Sequence, residues 1–97
     1  SRPSTPCLAT RLPYGAEIKP EILEQIARGE EFLRNAGFAV VRLRLHGDIA
    51  RIEIPCGQFP EFLKKREEIV ENLKNMGFFY ITLDIQGFRS GSMDENL

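Results

Sequence analysis

Three arginines and one glutamate stand at alternate positions of two short apolar segments. Arg42 and Arg44 lie in the first segment, and Arg51 and Glu53 lie in the second, each pair separated by one apolar residue. In strands, this alternation places the charged side chains on one face of a sheet. Guanidinium groups on a rigid surface suit a phosphate or a carboxylate. The pattern indicates an anion-binding face, with a solvated surface of weak salt bridges as the alternative.

Cys7 is the second candidate for chemistry. It lies in the segment Pro6-Cys7-Leu8-Ala9-Thr10-Arg11, which shows neither helical nor strand periodicity. The thiolate is the reactive form of cysteine, and a nearby cation such as Arg11 favours it. A cysteine in an irregular arm is less easily assigned to core packing, so Cys7 is a candidate reactive thiol.

The remaining polar residues suggest little chemistry. Cys56 follows the second segment and is expected to pack at a loop, and the spacing of the two cysteines does not match a zinc site. His46 precedes a turn and is expected at the surface. The sequence contains no phosphate loop, no dinucleotide motif and no Ser-His-Asp arrangement. It does not indicate whether the chain binds a metal.

The elements that position these residues follow from an internal repeat with an offset of 40 residues. Pro20 and Pro60 each begin a stretch with apolar residues at helical spacing, and Gly37 and Gly77 stand where each helix would end. A strand is predicted after each helix. Gly29 lies on the apolar stripe of the first helix, which predicts a close approach to the sheet.

A hairpin is predicted between the two repeat units. The loop Gly47-Asp48 is typical of a type II′ turn, because glycine occupies its first central position. This turn sets the register of the two strands. Arg42 then lies opposite Glu53, and Arg44 lies opposite Arg51, where the like charges cost stability unless an acid or a bound anion lies between them.

The predicted order is α-β-β-α-β, an α+β domain with two helices on one face of a small, mainly antiparallel sheet. The whole chain, 1–97, is expected to be one domain, with arms at 1–15 and 87–97 around a core at 16–86. If residues 9–14 formed a first strand, the fold would be ferredoxin-like, β-α-β-β-α-β. Pro13 argues against that strand, since a central strand tolerates proline badly.

Composition excludes several classes of protein. The 97 residues are 42% apolar and 28% charged, the usual mixture of a globular domain. The net charge of −1 disfavours a nucleic-acid partner. No apolar run approaches the ~20 residues that span a bilayer, so no membrane partner is expected. With two cysteines and no secretion signal, we expect a cytoplasmic location and reduced thiols.

Three motifs together resemble a known family. They are the segment from Pro6 to Gly15, the Arg42/Arg44 strand with its hairpin, and the run Gly87-Phe88-Arg89-Ser90-Gly91-Ser92-Met93-Asp94-Glu95. They resemble the C-terminal part of the ATP-dependent sacrificial sulfur transferases of the LarE type, in the PP-loop (adenine nucleotide alpha hydrolase) superfamily. The resemblance implies a larger enzyme whose N-terminal ATP-pyrophosphatase domain binds ATP and Mg²⁺. The isolated chain is therefore expected to be inactive.

The resemblance also implies roles for individual residues. The family adenylates a carboxylate of a pyridinium mononucleotide and converts it to a thiocarboxylate, in biosynthesis of the nickel-pincer cofactor. Cys7 matches the cysteine that donates its sulfur, and Arg42 and Arg44 match the arginines that hold the substrate phosphate. Glu53 would orient Arg42, and Arg51 would support the site. The implied partners are the N-terminal domain of the same chain, the mononucleotide and further copies in a homo-oligomer.

Two other functions remain open. The chain could be a non-catalytic module for homo-oligomerisation or anion binding, with the arginine face serving subunit contacts. It could also be an RNA-binding domain of an enzyme that thiolates tRNA. The balanced charge and the lack of an aromatic and basic stripe make the RNA alternative the weakest.

Overall fold

The computed structural model describes residues 19–88. They form α1 (Pro20–Asn35), β1 (Arg42–His46), β2 (Ile49–Glu53), a 3₁₀ helix (Cys56–Gln58), α2 (Phe59–Lys64), α3 (Arg66–Asn75) and β3 (Tyr80–Leu83). The α+β class and the order of helical and strand units are confirmed. The predictions for Cys7, for a strand at 9–14 and for the arm beyond Phe88 lie outside the described residues.

The hairpin has the predicted register. Arg42 lies opposite Glu53, and Arg44 lies opposite Arg51. Gly47 has a φ of 60°, the left-handed region that the first central residue of a type II′ turn requires. Charged side chains of both strands therefore share one face of the sheet.

The third strand makes the sheet mixed rather than mainly antiparallel. β3 pairs directly with β2 in the parallel direction, so that the order is β1-β2-β3. In a ferredoxin-like sheet, the strand that precedes the first helix would lie between β2 and β3 and would separate them. The unit of β2, its following helices and β3 would then be a split βαβ unit. Because β2 and β3 are hydrogen-bonded to each other, the ferredoxin-like alternative does not fit this pairing.

The second helical unit is broken, whereas one continuous helix was predicted. α2 ends at Lys64 and α3 begins at Arg66, and the N–H of Lys65 donates to the carbonyl of Phe62, three residues back. No residue between Phe62 and Ile69 is buried. This turn therefore has no apolar side chain that would hold it against the sheet, and the hydrogen bonding tightens locally.

Both helical units cover the same face of the sheet. Buried side chains from α1, from α2 and α3 and from the strands form one core, which includes Ile26, Leu33, Phe38, Leu43, Ile52, Phe62, Ile69, Leu73 and Phe78. Gly29 makes the predicted close approach: a Cβ there would lie 2.8 Å from Cδ1 of Leu43. Core packing thus fixes β1 against α1.

Each helical unit closes the end of the other. The amide of Gln25 in α1 donates to the carbonyl of Met76 at 3.0 Å, and the ammonium of Lys65 donates to the carbonyl of Ala36 at 2.6 Å. Residues 25 and 65, like residues 36 and 76, are equivalent in the repeat. The two caps satisfy carbonyl groups that have no partner within their own helix.

Candidate functional site

The candidate site is the face of the sheet that points away from the helices, here called the outer face. Its side chains are Arg42, Arg44, His46, Ile49, Arg51, Glu53, Tyr80, Thr82 and Asp84. The alternation of the strands puts them there, because the intervening residues of β1 and β2 belong to the core. The structure therefore brings Arg42, Arg44, Arg51 and Glu53 together on one surface.

Two acidic side chains compensate the opposed arginines. One carboxylate oxygen of Glu53 lies 2.9 Å from Nε of Arg44 and 3.2 Å from a terminal nitrogen of Arg51. A carboxylate oxygen of Asp84 lies 3.7 Å from Nε of Arg51. Arg44 donates a charge-assisted hydrogen bond to Glu53, whose side chain is only 11% exposed, so this bond and the ion pair of Glu53 with Arg51 are partly shielded from water. An acid, as the sequence allowed, occupies the gap between Arg44 and Arg51.

Arg42 differs from its neighbours. The expectation that Glu53 orients Arg42 is wrong for the described residues, because the carboxylate of Glu53 turns to Arg44 and Arg51 instead. The guanidinium of Arg42 lies over the ring of Phe88, 5.6 Å from its centroid. Within residues 19–88, no carboxylate forms an ion pair with Arg42. Its positive charge is therefore the one on this face that those residues leave uncompensated.

The segment after β3 brings Phe88 under Arg42. The N–H of Phe88 donates to the carbonyl of Ile54 at 2.7 Å, and the N–H of Gly87 donates to the carbonyl of Asp84 at 3.0 Å. Gly87 has a φ of 85°, which favours glycine. The start of the predicted C-terminal arm thus packs on the end of this sheet, a contact that no sequence pattern indicated.

Glu30 holds the backbone of the strand that carries Arg42 and Arg44, and the sequence reasoning missed it. This side chain of α1 is buried, and its carboxylate accepts a hydrogen bond of 2.8 Å from the N–H of Leu43, the residue between Arg42 and Arg44. β1 is an edge strand of the described sheet, so this N–H points away from β2. One signal in the sequence could have identified Glu30: it follows Ile26 by one helical turn and therefore lies on the apolar stripe of α1.

The other candidates are Cys7, Cys56 and His46. Cys7 lies outside the described residues. Cys56 is exposed, and its Sγ lies 3.6 Å from the carbonyl of Gln86. His46 ends β1 and is half-buried. Across residues 19–88, no group of histidine, cysteine and acidic residues has an arrangement that could hold a metal ion. Every helix in that range is too short or too polar to span a bilayer.

Comparison with known proteins relates the chain to LarE-type synthases. It is 41% identical over 90 residues to the pyridinium-3,5-bisthiocarboxylic acid mononucleotide synthase of Lactiplantibacillus plantarum. The aligned residues are 93% of this chain and 33% of the synthase. No protein-family model matches the chain.

Two uncharacterized proteins are also similar. One, from a Synechocystis strain, is 41% identical over 98 residues, which is 99% of this chain and 37% of that protein. The other, from Methanocaldococcus jannaschii, is 34% identical over 88 residues, which is 91% of this chain and 34% of that protein. The chain thus spans about a third of the length of the curated relatives it matches.

Proposed function

We propose that the chain is the C-terminal domain of an ATP-dependent sulfur transferase, and that it supplies the sulfur-donor cysteine and the arginines for the substrate phosphate. The observation that carries the proposal is the 41% identity to the pyridinium-3,5-bisthiocarboxylic acid mononucleotide synthase over 93% of the chain. The substrate is then a pyridinium mononucleotide, and the product belongs to the biosynthesis of the nickel-pincer cofactor.

The outer face offers a phosphate two different guanidinium groups. Arg42 presents a charge that no acid among the described residues compensates, and Arg44 stands two residues along the same strand, with its Nε bonded to Glu53. A phosphate carries several acceptor oxygens and binds guanidinium groups through charge-assisted hydrogen bonds. In this proposal Arg42 is the main anion ligand, and Arg44 completes the site.

The fixed backbone of β1 supports this role. Glu30 and the pairing with β2 hold the strand from both sides at Leu43, so that neither arginine depends on a loop for its position. Gly29 lets α1 approach the strand closely enough for Glu30 to reach that N–H. Rigid elements hold binding groups more accurately than loops do.

The chemistry divides between this chain and a preceding PP-loop domain. That domain would bind ATP and Mg²⁺ and join the substrate carboxylate to AMP, with release of pyrophosphate. The thiolate of Cys7 then attacks the acyl carbon, displaces AMP and forms a thioester. Removal of the α-proton of Cys7 by a base breaks the bond between its Cβ and sulfur. The product keeps the sulfur as a thiocarboxylate, and the protein keeps a dehydroalanine.

The test follows the sulfur atom in the longer protein that contains this chain. After turnover with ATP, Mg²⁺ and a carboxylated pyridinium mononucleotide, we expect Cys7 to lose H₂S, about 34 Da by peptide mass mapping. The variant Cys7→Ala should form no thiocarboxylate yet still release pyrophosphate, while the matched variant Cys56→Ala should form product. Product that accumulates while Cys7 stays intact would show that the sulfur comes from elsewhere.

A second candidate function is self-association without catalysis. Phe79 and Tyr80 are 64% and 62% exposed, more than large aromatic side chains usually are in an isolated domain. On the outer face Tyr80 lies opposite Ile49, which is 44% exposed, and apolar side chains grouped at a surface are typical of protein interfaces. Sedimentation analysis of Phe79→Ser and Tyr80→Ser variants, together with a sulfur-transfer assay, distinguishes the two functions. Loss of oligomers with intact sulfur transfer would show that self-association and catalysis are independent of each other.

A further inference from the structure

We infer that Phe88 is a positioning residue for Arg42: its ring holds the guanidinium in place for the substrate phosphate without neutralising it. The inference rests on the proposed function, since it concerns the same phosphate. It starts from the cation–π contact of 5.6 Å between Cζ of Arg42 and the centroid of Phe88. Such contacts attract the cation electrostatically to the face of the ring.

The chemistry of the guanidinium makes an aromatic ring suitable at this position. Its five N–H donors all point outwards in the plane of the group. A carboxylate partner would occupy some of those donors and cancel the charge, as Glu53 does at Nε of Arg44. A ring attracts the cation to its face and supplies no carboxylate oxygen to the N–H donors, so that these donors stay available for a bidentate contact with phosphate.

Little else in the described part of the chain restrains Arg42. Its one hydrogen bond there is a long contact of 3.4 Å from a terminal nitrogen to the carbonyl of Val41. An arginine side chain without a fixed orientation loses rotamer freedom when it binds an anion, and this loss weakens binding. The cation–π contact with Phe88 reduces that loss, because it restrains the guanidinium before the phosphate arrives.

The position of Phe88 is itself fixed. Its N–H bonds to Ile54 at the end of the β2 segment, and the turn before it is closed by the bond from Gly87 to Asp84. Gly87 fits beneath the thiol of Cys56, where a Cβ would lie only 2.5 Å from Sγ. The ring is therefore attached to the same strand that carries Glu53, and the two arginines are oriented by different partners on one framework.

The first part of the test measures the contact itself. In the ¹⁵N-edited NMR spectrum of the protein, the Nε–H proton of Arg42 should be shifted upfield by the ring current. We expect the shift to disappear in Phe88→Leu and to remain in Phe88→Tyr. An Arg42 proton without an upfield shift in the wild-type protein would overturn the inference, and this result does not depend on any variant folding.

The second part measures the dissociation constant of inorganic phosphate at constant ionic strength. Phe88→Leu should weaken binding roughly fivefold, the value of an exposed cation–π contact, while Phe88→Tyr should stay within about twofold. The loss in Phe88→Leu should be non-additive with Arg42→Lys and additive with Arg44→Lys. A purely structural role of Phe88 would couple it to both arginines alike, and that outcome would overturn the inference.

A third variant separates this inference from the proposed function. If Arg42→Ala leaves phosphate binding unchanged, the phosphate site is wrong and the role of Phe88 falls with it. If Arg42→Ala weakens binding while a folded Phe88→Leu does not, the site stands and the positioning role alone is wrong. Weakening in both variants, with the coupling described above, is the result that we expect.

Discussion

The strands β1 and β3 come from equivalent positions of the repeat and flank β2 on its two sides, yet their outer side chains differ. Arg42 and Arg44 in β1 correspond to Thr82 and Asp84 in the second unit. Thr82 donates its hydroxyl to the carbonyl of Ala50, and Asp84 pairs with Arg51. One unit thus presents cations, and the other presents groups that bind within the sheet.

The inner residues of the two units have changed less. Both helices end in the same way, with Gly37 and Gly77 at positive φ and with the N–H of Phe38 or Phe78 bonded back to Leu33 or Leu73. This is the Schellman motif, which satisfies the last carbonyl groups of a helix. The buried positions of both units thus keep the same fold, whereas the outer positions differ, and only β1 carries the two arginines that we propose as phosphate ligands.

Gly29 and Ile69 are the clearest difference inside the core, since they occupy equivalent positions of the repeat. Ile69→Ala should have the largest effect, because Ile69 is fully buried and its removal leaves a cavity. We expect a loss of about 2–5 kcal/mol in the free energy of unfolding, measured by urea denaturation. Val70→Ala, at a half-buried neighbour, serves as the control with a smaller loss. A loss for Ile69→Ala no greater than for the control would contradict the packing of α3.

Gly29→Ala should destabilise for the opposite reason. The new methyl group would lie 2.8 Å from Leu43 and 3.2 Å from Phe78, so one of these side chains must move. Overpacking costs about 1–3 kcal/mol, and the better helix propensity of alanine returns up to about 1 kcal/mol. Thermal unfolding should show a net loss. A stabilised Gly29→Ala protein would mean that α1 has room above β1, which would contradict the close packing at Gly29.

The reciprocal caps should give the smallest effects on stability. Gln25→Met and Lys65→Met should each cost about 1 kcal/mol, as each leaves a helix-end carbonyl without its donor. Only the effect of Lys65 should shrink in high salt, since its donor is charged. Lys64→Met, at an exposed neighbour in α2, is the matched control. Equal salt dependence of both caps would contradict the described difference between them.

The sequence predicted the features that depend on periodicity and on turn chemistry. Alternation located the strands, the Gly-Asp loop set the register, and the glycines marked both helix ends. All three signals are local, because backbone geometry at those positions admits few alternatives. The close approach at Gly29 was also foreseeable, since a missing side chain on a buried stripe leaves room that a neighbouring strand can fill.

Long-range contacts were beyond prediction. The partner of Glu53 depends on which arginine rotamer reaches it, and the contact of Phe88 with Arg42 depends on a turn that returns the chain to Ile54. The parallel pairing of β3 depends on where the helical connection places it, which strand periodicity does not record. Glu30 was missed because an acid on an apolar stripe usually indicates an exposed edge rather than a buried acceptor.

The most direct test of the central claim is whether phosphate binds through Arg42. The protein should be scanned thermally in tens of millimolar phosphate and in chloride at equal ionic strength. At a tenfold excess over the dissociation constant, phosphate stabilises by about 1.4 kcal/mol. In a domain of this size Tm rises by roughly 4–8 °C for each kcal/mol of stabilisation. The expected rise in phosphate is therefore about 6–11 °C.

Two variants make this measurement decisive. We predict that Arg42→Ala loses most of the phosphate-dependent rise in Tm. Arg66→Ala removes the same charge from an exposed position of α3, away from the outer face, and should keep the rise. An equal rise in wild type and Arg42→Ala, or no rise in phosphate relative to chloride, would contradict the assignment of the outer face as the phosphate site.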